Sequence, residues 1–322
     1  MTVAKSVLLA TRRLPPAIEA EAARDFDARL TPSETVMPDL LAQVQDAQAD
    51  AILCCPGDVL NASVIAALPA SVKVIGTFSV GYDHVDVAAA QARGIKLCNT
   101  PDVLSVATAE CAMLLLMMAA RRAGEGERLV RSGRWRGWAP TQLLGTQVSG
   151  RRLGIFGMGR IGRELARMAR GFGMEIHYRD MARLPPDLEQ GAVFHDDDDS
   201  FLPICQTLSL NAPGGDGTRH WLNPARIARL PRGTVIVNAA RGSLVDDAAL
   251  IAALRSGHVA AAGLDVYNNE PNLDPAYLTL ENVVLLPHLG SATVETRDAM
   301  GRVVLSGIAA LLAGRTPANM VT

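Results

Sequence analysis

The chain has 322 residues, which is long for one average domain and enough for two domains with separate hydrophobic cores. Hydrophobic residues make up 49% and charged residues 20%, a balance typical of folded globular proteins and unlike that of disordered chains. The formal net charge of -2 indicates no basic surface for nucleic acid or for an anionic membrane, so we expect a small-molecule partner.

Five cysteines, at positions 54, 55, 98, 111 and 205, form no CxxC pair and no His/Cys spacing suited to a metal. We expect them to be buried thiols in a reducing compartment, and we expect no metal site. The longest apolar run, residues 111–120, is half the length that a bilayer span needs. The apolar stretch at residues 7–10 is followed by two arginines rather than by a signal-peptide cleavage site. The sequence therefore predicts a cytoplasmic protein.

Short apolar runs alternate with amphipathic stretches in the first third of the chain, which predicts parallel strands connected by helices. The four predicted strands are residues 7–10, 51–55, 72–78 and 95–98. A long helix is predicted over residues 102–122, and the Gly/Trp/Pro-rich residues 133–145 then interrupt the pattern.

A second series of six predicted strands, enough for a complete dinucleotide-binding sheet, begins after this interruption. They are residues 153–156, 175–178, 207–210, 234–238, 260–266 and 283–286. Helical periodicity at residues 293–313, with no strand after it, suggests a helix that packs on the first domain. We predict two doubly wound α/β domains of Rossmann-like or flavodoxin-like type. The cofactor domain, residues 102–289, is inserted into a substrate domain formed by residues 1–101 and 290–322.

Two other polar features have simple structural explanations. The acidic residues 196–199 precede an amphipathic stretch, and aspartate is favoured at the start of a helix, although a metal site is the alternative. Asp83 and His84 are interpreted as the start of the helix that follows them, although His84 is also a candidate catalytic histidine.

The sequence GMGRIG, which begins at Gly157, follows a predicted strand and opens a helix near Arg160. Gly157 permits a tight turn, Gly159 lets backbone amides approach a pyrophosphate, and Gly162 lets the helix pack against the strand. The helix N-terminus attracts the phosphate charge. The motif predicts a dinucleotide site, and a structural turn without a ligand is the alternative.

Asp180 lies 18 residues beyond Gly162, at the end of the next predicted strand. A carboxylate at this place accepts hydrogen bonds from the ribose hydroxyls of NAD and repels the 2′-phosphate of NADP. Met181 offers that phosphate no cation, whereas Arg179 and Arg183 are close enough in sequence to leave the strictness of the choice open. We predict NAD as cofactor, with NADH preferred over NADPH.

Three polar residues, Arg241, Glu270 and His288, each stand just past the carboxyl end of a predicted strand. Each has an alternative explanation: a carbonyl cap, a loop acid and a surface histidine. Ligands of open α/β sheets bind at this edge, however, so the three side chains are predicted to meet beside the nicotinamide as a catalytic set.

The segment VIVNAARGSLVDDAALIAALRSGHVAAAGLDVYNNEP, followed by LLPHLGSAT, resembles the D-isomer-specific 2-hydroxyacid dehydrogenases, and the resemblance spans nearly the whole chain. TFSVGYDHVDV, NTPDVLSVATAE and GRWRGWAP are most similar to the glyoxylate/hydroxypyruvate reductase branch. HYRD at residues 177–180 departs from the NADPH-using members of that branch. The branch therefore does not determine the cofactor.

The resemblance implies that Arg241 holds the substrate carboxylate and carbonyl, that His288 is the general acid/base, and that Glu270 orients it. These roles suit a 2-oxo acid, whose carbonyl oxygen gains negative charge as hydride arrives. The resemblance further assigns Val80, Gly81 and Ser291 to the substrate, and Thr108, Arg160, Ile161, Asn211, Ala239, Asp265 and His288 to the cofactor.

The implied activity is hydride transfer between NAD(H) and a small 2-oxo or 2-hydroxy acid, in particular glyoxylate or hydroxypyruvate reduction. The alternative is a non-catalytic NAD-sensing protein of the same fold, as in corepressors that resemble this family. The lack of a long interaction tail favours the enzyme. Trp135 and Trp138 have a simple interpretation as core or interface anchors. In the reductase branch, however, the residue that matches Trp138 reaches a neighbouring subunit's site. The resemblance therefore implies that Trp138 contacts substrate in a homodimer, and we expect the subunit contact to include residues 121–145. No residue predicts the choice among small oxo acids or the physiological direction.

Overall fold

The computed structural model describes residues 5–322, which form two compact units. One unit contains the described residues up to Leu104 together with Ala292–Thr322, and the other is Ser105–Ser291. Each unit contains one parallel sheet, of five strands in the first and seven strands in the second. The predicted fold class, two parallel α/β units, is confirmed. We refer to them as the five-stranded and the seven-stranded unit.

The five-stranded unit alternates strands and helices along the chain. Its elements are β1 (Val7–Ala10), α1 (Pro16–Asp25), β2 (Asp27–Arg29), α2 (Leu40–Ala47), β3 (Ala51–Cys54), α3 (Ala62–Ala67), β4 (Val74–Thr77), α4 (Val87–Ala92), β5 (Lys96–Cys98) and the final helix α12 (Val294–Leu312). The strand order is β2-β1-β3-β4-β5. Every residue of β3 and β4 is buried, as expected for central parallel strands with both faces covered.

Helix α12 packs on the five-stranded sheet, as the sequence predicts. It begins after Thr293, whose side chain accepts a hydrogen bond from the N–H of Thr296 at 3.1 Å. A Cβ placed on Gly76 of β4 would lie 2.5 Å from Cδ1 of Ile308 and 2.8 Å from Cγ2 of Val304. Only glycine at this position lets the helix approach the strand so closely.

The seven-stranded unit begins with two consecutive helices. Its elements are α5 (Ser105–Ala120), α6 (Ala123–Arg131), β6 (Arg152–Phe156), α7 (Arg160–Arg170), β7 (Glu175–Arg179), α8 (Pro186–Glu189), β8 (Val193–His195), α9 (Asp198–Phe201), β9 (Thr207–Leu210), α10 (Pro224–Ile227), β10 (Thr234–Asn238), α11 (Asp247–Arg255), β11 (Val259–Leu264) and β12 (Val283–Leu285). The strand order is β12-β11-β10-β9-β6-β7-β8. Short 3₁₀ helices occupy Leu202–Ile204, Gly242–Leu244 and Pro275–Thr279.

Several local predictions are corrected by the structure. The second sheet has seven strands rather than six, because β8 adds an edge strand of three residues that lacks a buried apolar run. The short edge strand β2 was missed for the same reason. The helix predicted over residues 102–122 is shorter, and α6 follows it after Arg122, whose φ of 52° lies in the left-handed region.

The structure also tests the helix-start interpretation of the two polar features. Asp197 caps α9 by accepting a hydrogen bond from the N–H of Ser200 at 2.7 Å, so the acidic residues do begin a helix. The assignment of Asp83 and His84 to a helix start is wrong, since α4 begins at Val87 and Asp86 is its cap. Within residues 5–322, none of the helices combines the length and apolarity that a bilayer crossing needs.

Five neighbouring strands of the seven-stranded sheet end level with one another. Phe156 pairs with Leu210, Leu210 with Asn238, Asn238 with Leu264, and Leu264 with Leu285. Residues that directly follow β6, β9, β10, β11 and β12 therefore lie side by side at one edge of the sheet.

Candidate active site

The three glycines of the turn between β6 and α7 differ in the space around them. Gly157 has a φ of 95°, and a Cβ there would lie 2.5 Å from the backbone N of Ala212. A Cβ on Gly162 would lie 2.3 Å from the carbonyl oxygen of Gly157. At Gly159, in contrast, no described atom beyond the adjoining residues lies within 4 Å of such a Cβ. This open space beside the N-terminus of α7 fits a dinucleotide pyrophosphate.

The carboxylate of Asp180 contacts the same turn. Its Oδ2 accepts a hydrogen bond from the N–H of Met158 at 2.7 Å, and its Oδ1 accepts one from the N–H of Met181 at 2.7 Å. Each carboxylate oxygen can accept more than one hydrogen bond. The carboxylate thus keeps acceptor capacity for ribose hydroxyls while the glycine turn holds it in place.

The other predicted cofactor residues of this unit are distributed along the same edge of the sheet. Arg160 and Ile161 are the first two residues of α7. Asn211 follows β9 and donates its backbone N–H to the carbonyl of Phe156 at 2.7 Å. Ala239 follows β10 and is buried.

Thr108 of α5 and Asp265, which follows β11, are close to one another at Gly290. A Cβ placed on Gly290 would lie 3.3 Å from both Oδ2 of Asp265 and Cγ2 of Thr108. Ser291, the next residue, is half-buried. The structure therefore brings together two of the side chains that the resemblance assigns to the cofactor.

Arg241 lies in a turn that the side chain of Asn238 closes. Oδ1 of Asn238 accepts the N–H of Ala240 at 3.0 Å, and its Nδ2 donates to the carbonyl of Arg241 at 2.8 Å. The Arg241 guanidinium donates to the carbonyl of Ala240 at 2.7 Å. A buried amide at the end of β10 thus fixes the backbone that presents the arginine.

Glu270 and His288 form a hydrogen-bonded pair, with Oε2 of the carboxylate 2.8 Å from Nδ1 of the imidazole. Burial favours the neutral carboxyl and so acts to raise the pKa of Glu270. The opposite effect is larger, and it comes from the hydrogen bond and charge of His288, the N–H of Tyr267 and the charge of Arg241. The pKa of Glu270 is therefore lowered from its ordinary value. An ionised carboxylate accepts a hydrogen bond from Nδ1–H and leaves Nε2 for a reacting group.

The buried carboxylate of Asp265 holds the loop that carries His288. It accepts the N–H of Leu289 at 2.6 Å and that of Gly290 at 2.7 Å, and the Asp265 carbonyl accepts the N–H of His288 at 2.9 Å. Burial raises the pKa of Asp265 although both amides and the charge of His288 oppose the shift. His288 has a φ of 56°, a left-handed conformation unfavourable for a residue with a side chain. These three hydrogen bonds stabilise that conformation.

Tyr267 links the loops around the pair, and sequence reasoning gave it no role. Its backbone N–H donates to Oε1 of Glu270 at 2.9 Å, and its hydroxyl lies 3.0 Å from the carbonyl of Leu264 and 2.8 Å from that of Leu286. A Cβ placed on Gly242 would lie 1.9 Å from the carbonyl carbon of Tyr267. The only signal in the sequence was its position between Asp265 and Glu270.

Val80 and Gly81 belong to the five-stranded unit, in the loop that follows β4. The side chain of Asn99 donates to the carbonyl of Val80 at 2.8 Å, and the hydroxyl of Ser79 donates to that of Gly81 at 2.6 Å. Two side chains therefore fix the backbone of this loop.

Trp138 is 82% exposed, in the irregular segment after α6. Trp135 is half exposed and donates its indole N–H to Gln142 at 3.3 Å. Helix α6 itself contains no buried residue. This part of the chain packs little against its own unit.

The family model described as "D-isomer specific 2-hydroxyacid dehydrogenase, NAD binding domain" matches residues 113–290, more than half of the chain. The chain belongs to this family. It is a D-isomer-specific 2-hydroxyacid dehydrogenase, an oxidoreductase whose glycine turn lies within the NAD-binding domain. The predicted family and class of activity are confirmed.

Known proteins match this dehydrogenase over nearly its full length. Glycerate dehydrogenase of Hyphomicrobium methylovorum is 42% identical over 97% of this chain and 98% of its own. The structure of a glyoxylate reductase from Paecilomyes thermophila has 36% identity and a TM-score of 0.87, covering 99% of both chains. The NADPH-dependent glyoxylate/hydroxypyruvate reductase of Sinorhizobium meliloti, solved with NADP and malonate, has 33% identity and a TM-score of 0.87, covering 99% of this chain and 97% of its own. All three are named as enzymes, and none supports the non-catalytic alternative.

Proposed function

We propose that this dehydrogenase reduces glyoxylate and hydroxypyruvate with NADH, and that Arg241, Glu270 and His288 are its catalytic residues. The hydrogen bond between Glu270 and His288 carries the proposal. Reduction of a 2-oxo acid requires a proton at the carbonyl oxygen, and a histidine held by a carboxylate is suited to provide it. The names of the relatives support these substrates.

The proposed mechanism needs three actions from the protein. Arg241 binds the substrate carboxylate and stabilises the negative charge that develops on the carbonyl oxygen. His288 donates the proton from Nε2 to that oxygen. Glu270 accepts the hydrogen bond from Nδ1 and stabilises the imidazolium before donation. NADH held by the glycine turn and Asp180 would supply a hydride for the carbonyl carbon, which would give a 2-hydroxy acid.

The remaining site assignments stay predictions. The backbone amides of Val80 and Gly81 and the side chain of Ser291 are proposed to bind substrate. Thr108 and Asp265 are proposed to bind the nicotinamide end, which their shared proximity to Gly290 supports.

NADH is proposed as the preferred cofactor because Asp180 presents a carboxylate at the end of β7. Membership of the family leaves this choice open, since the relative from Sinorhizobium meliloti is NADPH-dependent. Hydrogen bonding to ribose hydroxyls and repulsion of a 2′-phosphate both favour NADH.

We also propose that the enzyme is a homodimer in the cytoplasm. The exposed apolar side chains in and after α6 support a subunit contact over residues 121–145, with Trp138 reaching the partner's site. These side chains are Val130, Trp135, Trp138 and Leu144.

All five cysteines are free thiols, which supports a reducing compartment.

The direct test is oxidation of NADH with a panel of 2-oxo acids: glyoxylate, hydroxypyruvate, pyruvate and 2-oxoglutarate. We expect the highest kcat/KM with the first two, and loss of this activity in a folded His288→Ala variant. The proposal is wrong if the protein binds NADH but reduces neither glyoxylate nor hydroxypyruvate.

A further inference from the structure

Arg183 follows Asp180 by three residues, in the loop after β7 and therefore near the ribose end of the proposed NADH site. Arginine binds phosphate well because its guanidinium donates two parallel hydrogen bonds. Here, however, those donors bind a carboxylate. Nε of Arg183 lies 3.0 Å from Oε1 of Glu189, and its terminal nitrogen lies 2.9 Å from Oε2.

The carboxylate of Glu189 is held in place by other groups. It is the last residue of α8, and its side chain is only 7% exposed. The hydroxyl of Tyr178 in β7 donates to Oε1 at 2.9 Å and accepts the N–H of Leu184 at 2.9 Å. The hydrogen bond from Arg183 lowers the pKa of Glu189 despite its burial, with further help from Tyr178. An ionised and oriented carboxylate therefore faces the arginine.

Between Arg179 and Ala182, the residues nearest to Asp180 in sequence include one other cation, Arg179. Arg179 donates to the carbonyl of Asp180, and its Nε lies 3.9 Å from Oδ1 of Asp198. Met181 is fully exposed and uncharged. Both arginines that flank Asp180 in sequence are thus directed toward oxygen atoms of the protein itself.

We infer that Glu189 is a positioning residue that determines cofactor selectivity: by holding Arg183, it keeps this cation from the 2′-phosphate of NADPH. The inference rests on the proposed use of NADH. Asp180 repels a 2′-phosphate, and a free arginine in the same loop would offset the repulsion. Selectivity for NADH over NADPH then depends on two carboxylates: Asp180 faces the ribose, and Glu189 faces Arg183.

The central experiment compares the native protein with Glu189→Gln, which keeps the size of the side chain and its bond to Tyr178 but removes the charge. Calorimetric titration with 2′,5′-ADP and with 5′-AMP measures binding without catalysis. We expect affinity for 2′,5′-ADP to rise about tenfold, the size of one gained charge-assisted contact. Affinity for 5′-AMP is expected to stay the same. kcat/KM should rise similarly with NADPH and stay unchanged with NADH.

A second set of variants separates this role from a structural one. Arg183→Gln in the native background should leave 2′,5′-ADP affinity unchanged, because the arginine is already held. The double variant Glu189→Gln/Arg183→Gln should return to the native affinity. Glu164→Gln is the matched control, since it breaks the Glu164–Arg167 pair, 2.9 Å long, on α7. It should change neither ligand's affinity.

Two results would overturn the inference while NADH reduction of oxo acids stands. One is an unchanged 2′,5′-ADP affinity in Glu189→Gln; the other is a loss of that affinity in Arg183→Gln alone. The second result remains decisive if Glu189→Gln fails to fold. A native protein that binds neither 5′-AMP nor NADH would contradict the proposed function and the inference with it.

Discussion

Glu270 uses one carboxylate oxygen for His288 and the other for the backbone. Oε2 lies 2.8 Å from Nδ1 of His288, and Oε1 accepts the N–H of Tyr267 at 2.9 Å. The backbone bond restrains rotation of the carboxylate. Both of its oxygen atoms are therefore held while one of them faces the imidazole.

Replacing Glu270 by Gln should shift the pH dependence of oxo-acid reduction. The carboxylate, with its lowered pKa, is ionised at neutral pH and favours imidazolium, the form that reduction requires. Glutamine carries no charge, so the variant lacks this support for the imidazolium. Reduction by the variant should therefore lose kcat/KM most at neutral and higher pH, and activity should recover partly as the pH falls.

The reverse reaction serves as the control for Glu270→Gln. Oxidation of a 2-hydroxy acid requires neutral imidazole, so it should lose less activity and extend to lower pH. Superimposable profiles for the variant and the native enzyme would mean that Glu270 does not tune His288.

His288→Ala should depress both directions, because it removes the proton donor of reduction and the base of oxidation. The expected loss in kcat is about two to four orders of magnitude, the usual contribution of a positioned acid/base. Thermal unfolding should verify that the variant is folded. Retention of near-native kcat would assign proton transfer to another group.

Gly242→Ala should distort the site from a position outside the proposed catalytic set. Its Cβ would lie 1.9 Å from the carbonyl carbon of Tyr267, so the Arg241 turn and the Tyr267 backbone must separate. We expect a loss of about 1 to 3 kcal/mol in unfolding free energy, together with a lower kcat. Gly217→Ala is the control, since no described atom lies within 4 Å of its Cβ. Equal unfolding curves and kcat values for the two variants would refute the steric argument.

Asp180→Ser combined with Met181→Arg should narrow or invert the preference for NADH. In the native enzyme the preference is expected to be roughly 2 to 4 kcal/mol, the cost of placing a phosphate beside a carboxylate. The measurement is the ratio of kcat/KM values for NADH and NADPH. Equal catalytic efficiency with both cofactors in the native enzyme would show that this interpretation of Asp180 is wrong.

Light scattering at micromolar concentration should give the mass of a dimer. Replacing Trp138 by Ala should weaken substrate binding if the residue reaches the partner's site, and its high exposure makes an effect on folding small. A monomeric mass for the native protein would refute the proposed subunit contact.

The sequence predicts the strands well where apolar runs are sharply bounded. Thr207–Leu210 and Thr234–Asn238 have the predicted bounds, because polar residues and turns flank them. The strands Asp27–Arg29 and Val193–His195 were missed because three half-exposed residues at a sheet edge have no comparable pattern. A hydrophobic pattern in the sequence indicates which residues are buried. Edge strands are only partly buried, so they lack a clear pattern.

In the candidate site, the sequence likewise predicts some residues but not the contacts between their side chains. Position after a strand was enough to select Arg241, Glu270 and His288 as candidates. The contacts of Asn238 and Tyr267 depend on which backbone groups of separate loops become neighbours, and no local pattern encodes that. The pairing of Arg183 with Glu189 likewise depends on how the loop after β7 leads into α8.

Helix α12 packs on the five-stranded sheet but follows all of that sheet's strands and the whole of Ser105–Ser291 in the chain. All of Ser105–Ser291 leaves the ribosome between β5 and α12, so Gly76 of β4 lacks the contacts with Val304 and Ile308 during that time. An apolar sheet exposed on a nascent chain is a site for chaperone binding or for aggregation. For this enzyme the seven-stranded unit can complete its fold during translation, whereas the five-stranded unit can do so only after α12 has emerged.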